Sequence, residues 1–196
     1  MSDPAAGIAG SAAGGVAARI ASRLTRRFAG RVPAVLFVDG HSGSGKTTLA
    51  RALAGEYSRL GAPAPQIVGM DELYPGWHGL REGSESVAQL IRSREYSRYD
   101  WYAERFTERV ALDPGSPLII EGCGSLSADA LAAARSLGDS YAVWISSPAA
   151  LRRERAIARD GETFAPHWDE WAAQEQAHFA RTKPLARATE VVHVGR

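Results

Sequence analysis

Apolar residues along this chain gather in two patterns. The first is a set of short continuous runs: AVLFV at 34–38, QIVGM at 66–70, PLIIEG at 117–122, YAVWIS at 141–146 and EVVHV at 190–194. Runs this short, rich in β-branched and aromatic residues, suit strands buried on both faces. The second pattern has apolar residues at three- and four-residue steps, which predicts helices over 16–29, 46–61, 84–94, 100–112, 127–136, 148–159 and 167–181. In the first of these, Val16, Ile20, Leu24 and Phe28 draw one apolar stripe opposite a basic face. We expect that helix to pack on the edge of the domain rather than on a membrane surface. Strands alternating with helices predict a parallel sheet covered on both faces, an α/β fold.

Composition narrows the picture without changing it. A length of 196 residues, 45% hydrophobic and 23% charged, fits one ordinary globular domain. A formal net charge of +1 leaves no electrostatic footprint for a nucleic acid. No apolar run approaches the roughly 20 residues that cross a bilayer, so no membrane partner is expected. The opening MSDPAAGIAGSAAGG has neither the basic start nor the apolar stretch of a signal peptide. Residues 1–14 are expected to be a flexible tail, and 15–196 one domain. The lone Cys123 precludes an intrachain disulfide, which agrees with a cytoplasmic setting. A homo-oligomer is compatible with all of this.

Chemistry enters with lysine. Of 23 basic residues only Lys46 and Lys183 are lysines. Lys46 stands where AVLFV breaks into glycine and serine. Gly40-His41-Ser42-Gly43-Ser44-Gly45-Lys46-Thr47 satisfies G-x-x-x-x-G-K-[ST], between a predicted buried strand and a predicted helix. Gly40, Gly43 and Gly45 let the backbone bend so that successive N–H groups, Ser42 and Ser44 included, converge on phosphate oxygens. The helix after them offers its N-terminal N–H groups, Thr48 among them, and its positive dipole end to the same anion. Lys46 reaches the β- and γ-phosphates, and the Thr47 hydroxyl can ligate Mg²⁺. ATP and Mg²⁺ are therefore the expected ligands. His41 fills a variable position and is expected to be solvated.

The nucleotide-binding classes separate by what else is present. A GTPase should carry N-K-x-D and a transporter ATPase an L-S-G-G-Q-like segment; both are absent, and a motor ATPase needs a longer core. GMDELYPGW follows the second predicted strand instead, and strand carboxyl ends are where ligands bind in open α/β sheets. Asp71 there can accept a hydroxyl proton or help hold Mg²⁺. Glu121 ends the third strand on the same edge and is a second candidate for the metal. Arg152, Arg155 and Arg159 share a helix face by their spacing, and one or two of them, Arg155 or Arg159, can clamp a transferring phosphoryl group. The alternative is a solvated basic face. Tyr74, Trp77, Tyr99 and Trp101 are candidate walls for a small-molecule acceptor. Trp144, Trp168 and Trp171 are expected in the core, and Cys123 is expected to be a small strand-end residue.

In order along the chain these motifs resemble the uridine kinase family of P-loop small-molecule kinases. DGHSGSGKTT is similar to its phosphate loop, MDELYPG to its D-x-F-Y segment, RYDW at 98–101 to its Y-D-F segment and IIEGCGSL to its E-G-I-L strand end. RAIARD at 155–160 and TKPLARATEVV resemble its lid stretch and final strand. Leu73 replaces the phenylalanine of D-x-F-Y, and PGWHGLREG has no clear counterpart. The resemblance implies a P-loop fold of five parallel strands in kinase order, with a mobile lid near 152–166. It implies Asp71 as catalytic base, Glu121 as a magnesium-associated acid, and a nucleoside such as uridine or cytidine as acceptor. A different acceptor (pantothenate, a sugar phosphate or an antibiotic) stays open, as does a nucleotide-binding regulator without catalysis.

Overall fold

Strand β1 (Val35–Gly40) is buried at every position. It lies at the centre of the sheet in the computed structural model, which describes residues 4–195 and the side chains from Ala13 onward. Helix α1 (Pro4–Arg27) runs ahead of it, and α2 (Lys46–Arg59) and β2 (Gln66–Gly69) follow. A 3-10 turn at Met70–Glu72 leads through a loop to α3 (Leu80–Ser93). Then come β3 (Glu95–Asp100), β4 (Arg105–Ala111) and β5 (Leu118–Glu121). Helix α4 (Ala128–Leu137), β6 (Ser140–Ser146) and α5 (Ala149–Asp160) continue the alternation. Two 3-10 turns, Gly161–Thr163 and Ala165–His167, precede α6 (Trp168–Thr182), the short α7 (Pro184–Arg187) and β7 (Glu190–His193).

Strands β2, β5, β1, β6 and β7 pair in that order, and every pairing is parallel. The five segments expected as strands are these five. Alternation of side chains along β1 sorts the core into two layers. Val35 and Phe37 join a cluster that includes Val87 and Ile91 of α3, Ala130 and Ala134 of α4 and Trp171 of α6. Leu36 and Val38 join the other, with Ile20 and Leu24 of α1 and Leu49 and Leu53 of α2. The apolar stripe of the first helix therefore faces the sheet, as its spacing predicts. Ser127 opens α4 with its side chain accepting the Ala130 N–H, a capping bond that fixes where that helix starts.

Two expectations are corrected. The backbone is helical from Pro4, so α1 runs through most of the span expected as a tail; residues 1–3 of that span lie outside those described. The helix expected over 100–112 is instead an antiparallel hairpin of β3 and β4. Trp101, Phe106 and Val110 recur at four- to five-residue steps, which imitates a helical stripe. The turn decides otherwise: the Asp100 carboxylate accepts the N–H groups of Tyr102 and Ala103, and Glu104 adopts a left-handed φ of 51°. Tyr96 then faces Val110 across the ladder and Tyr99 faces Phe106. Among the described residues no helix is long and apolar enough to cross a membrane.

Ile20 is fully buried in the layer between α1, α2 and the sheet. Ile20→Ala should lower unfolding free energy by about 2–4 kcal/mol through lost transfer energy and a residual cavity. Urea denaturation checks this.

Candidate active site

The carboxyl ends of β1, β2 and β5 lie on one edge of the sheet, and the loops after them line a cleft of about 860 Å³. The loop between β1 and α2 forms one side. Its shape depends on Gly43, whose φ is 74° and whose missing Cβ would stand 2.0 Å from the Arg152 carbonyl oxygen. Loop and α5 thus touch backbone to backbone, which no side chain at 43 would permit. Helix α2 begins at Lys46, so its first N–H groups lack intrahelical acceptors and its positive dipole end borders the cleft. Gly43, Gly45, Lys46, Thr47 and Thr48 all line it. Gly40 packs on the Ile145 backbone, and Ser44 is buried with its N–H donating to the His41 carbonyl. The Ser42 and Ser44 amides expected on the phosphates are thus both committed to protein acceptors, the Ser42 N–H to Glu175.

Asp71 and Glu121 line the same cleft, as do Arg155 and Arg159. The Thr47 hydroxyl donates to Glu121 Oε1 at 2.9 Å. Burial raises the Glu121 pKa, while Lys46 and the Thr47 bond pull it back. Asp71 is open to solvent through the cleft but enclosed by protein on its other sides. That enclosure raises its pKa against the opposing charges of Lys46 and Arg159. Burial disfavours the charge on Lys46, but the acidic groups around it more than offset this and its pKa is raised. Cys123 is one of those groups; burial pushes its thiol well above the usual range, so Glu175, Glu121 and Asp39 carry the attraction. Lys46 Nζ donates to the His41 carbonyl at 2.8 Å. A threonine hydroxyl with one or two carboxylates is the hard-oxygen set that Mg²⁺ accepts beside phosphate oxygens and water, so Thr47, Glu121 and Asp71 fit that ion.

The expected aromatic residues divide. Trp77 and Trp101 line the cleft, 4.9 Å apart between ring centroids. Trp77 also stacks on His167 at 4.2 Å, and its carbonyl accepts Gln174 Nε2. Trp101 Nε1 donates to the Asp71 carbonyl at 2.8 Å, so the hairpin turn braces the loop that carries Asp71. Tyr74 borders the cleft but is 1% exposed, with its hydroxyl donating to the Cys123 carbonyl. Tyr99 does not line the cleft; it packs edge-on against Trp101 and Phe106 from behind. His41 is not solvated as expected. It is half-buried, edge-on to Trp144 and Phe179, and burial lowers its pKa. Of the arginines, Arg152 turns inward: its Nη1 donates to the Ser42 carbonyl at 3.3 Å and lies 3.9 Å from Glu175.

Several residues here escape sequence reasoning. Asp39 is fully buried and accepts the N–H groups of Gly40, Gly124 and Leu126. An acid closing the apolar run AVLFV was its one local signal. Glu175 and Trp171 of α6 reach Ser42 from 133 and 129 residues away, and no local pattern marks them. Phe164 and Asp160, both lining the cleft, lie in the stretch expected as a lid.

No protein-family model matches the chain, and no curated protein matches it in sequence. Solved structures match by fold. A possible uridine kinase from Bacillus stearothermophilus superposes with a TM-score of 0.52 at 21% identity, over 81% of this chain and 88% of that one. A candidate fructose transport system kinase from Silicibacter sp. TM1040 gives 0.51 at 20% identity, over 82% of this chain and 89% of that one. The fold is that of the P-loop kinases, as the motif order implies.

Burial raises the Asp39 pKa from 3.8 to about 7, with three backbone N–H donors and Lys46 limiting the rise. The folded protein then binds a proton that the unfolded chain releases near pH 4, so this group's contribution to stability falls as pH rises to about 7. Stability measured by urea denaturation across that window should fall more steeply in the wild type than in Asp39→Asn.

Proposed function

We propose that the protein is a small-molecule kinase that transfers the γ-phosphoryl group of ATP to a hydroxyl, with a nucleoside such as uridine or cytidine as acceptor. The observation that carries this reading is the position of Asp71: it lines one cleft together with Lys46, Thr47 and Glu121 and with Trp77 and Trp101. A protein that only binds nucleotide has no need of a carboxylate aimed into an aromatic-walled cavity. The volume, about 860 Å³, exceeds what a triphosphate tail alone would fill and leaves room for a second small molecule.

In this reading the loop amides and Lys46 hold the donor phosphates. Thr47 and Glu121, with Asp71 beside them, would hold Mg²⁺, which would supply charge neutralisation for the phosphates. Asp71 orients the acceptor hydroxyl and takes its proton. Arg155 and Arg159 stand on the last turns of α5 and neutralise charge on the transferring group. Arg159 is held meanwhile by a bidentate pair with Asp160. The segment after it, through Phe164 and His167, lies against Trp77 and acts as the lid that excludes water. Trp77 and Trp101 offer edges and faces for a nucleobase or sugar.

The test is ADP release from ATP and Mg²⁺ against uridine, cytidine, other nucleosides, pantothenate, sugar phosphates and aminoglycosides. One acceptor should stimulate release. Asp71→Asn should lower kcat by about 10²–10⁴-fold, with ATP affinity within about threefold of wild type. Unchanged turnover in Asp71→Asn would remove the base assignment. Nucleotide binding with no stimulation by any acceptor class would favour the regulator.

A further inference from the structure

The phosphate loop is gripped from behind at one residue. Every polar atom of Ser42 has a partner outside the loop. Its N–H donates to Glu175 Oε1 at 2.7 Å, and its carbonyl accepts Arg152 Nη1 at 3.3 Å. Its hydroxyl accepts Trp171 Nε1 at 3.0 Å and lies 3.4 Å from Cys123 Sγ. Glu175 is the hub of this arrangement. It is 1% exposed, and the same Oε1 accepts the Cys123 thiol at 3.0 Å. Its Oε2 stands 3.9 Å from Arg152.

A buried carboxylate close to a loop that binds anions needs an explanation. Its charge opposes the very ligand the loop is shaped for, and its burial is costly. Packing alone would be served by an apolar residue. What a carboxylate supplies here is a strong acceptor at a fixed reach from α6, bonded to one loop amide. An amide committed to Glu175 fixes the plane of the peptide before Ser42, and so the direction in which the next uncommitted amides, those of Gly43 and Gly45, present themselves.

We infer that Glu175 is a positioning residue of the phosphate loop: by accepting the Ser42 N–H it pre-orients the loop for the donor phosphates without touching them. Trp171 and Arg152 complete the grip at the hydroxyl and carbonyl. The inference rests on the reading of residues 40–48 as a nucleotide phosphate site.

Three variants separate reach from charge. Gln keeps the length and an acceptor oxygen but not the charge. Asp keeps the charge but is one methylene short. Ala removes both. Two readouts apply: equilibrium binding of a fluorescent ADP analogue with Mg²⁺, and amide hydrogen exchange of the loop in the protein without nucleotide, each beside a thermal melt. Glu175→Gln should bind within about threefold of wild type and keep the Ser42 amide protected. Glu175→Asp and Glu175→Ala should lose about tenfold or more in affinity, the scale of one lost hydrogen bond, and should expose that amide. Should Glu175→Ala fail to fold, the Gln and Asp pair still decides. Affinity and protection retained in Asp but lost in Gln would overturn the inference, as would all variants behaving alike. If wild type binds no nucleotide yet the exchange pattern holds, the phosphate-site reading fails and the positioning role stands.

Discussion

Three backbone N–H groups meet at the carboxylate of Asp39, and the geometry of the cleft depends on that meeting. The first belongs to Gly40, where the phosphate loop leaves β1; the other two belong to Gly124 and Leu126, just beyond Glu121. One side chain with no access to solvent therefore sets the spacing between the loop and the end of β5. Thr47 and Glu121 can then meet at 2.9 Å because their two segments have been tied together beneath them. An apolar residue at 39 would leave those amides without acceptors in the core, a cost comparable to losing several hydrogen bonds.

Above that tie the cleft balances charge within itself. Lys46, Arg155 and Arg159 border it, and so do Asp71, Glu121 and Asp160. Each acid raises the proton affinity of its neighbours, and each cation lowers it. The two carboxyls that face the cavity are both held above their ordinary range by enclosure, so the site resists ionisation to an extent that only the nearby cations relieve. A group poised this way responds to any further charge brought into the cavity.

Much of this was legible along the chain, and the reason is locality. AVLFV followed by glycine, serine and lysine states strand, turn and helix within fifteen residues, and the structure realises it as β1, loop and α2. Asp71 and Glu121 could be placed on the cleft because strand ends in a parallel sheet face one way; Trp77 and Trp101 line it from the loop and the hairpin turn. The hairpin was missed because its evidence is a turn: Trp101, Phe106 and Val110 fit a helix until Asp100 captures two amides. Tyr99 lies in that hairpin, beside a register shift at Arg98/Tyr99, and packs on Trp101 and Phe106 instead of lining the cleft. Glu175 carries no local mark at all, and nothing local ties Trp171 or Arg152 to the loop. They matter through Ser42, more than a hundred residues away, and only the folded chain brings them there.

The contact between Gly43 and the Arg152 carbonyl sets the mechanics of α5. With backbone against backbone at its first turn, a slide of the helix along the loop would run into that contact, whereas a tilt would turn about it as a lever turns on its fulcrum. Arg159 stands about two turns out on that lever, about 10 Å from the fulcrum at 1.5 Å per residue. A tilt of about 15° would carry its guanidinium by about 3 Å, the length of one hydrogen bond. A missing methyl group at 43 thus sets the point about which α5 would pivot, with Arg159 near the end that borders the cleft.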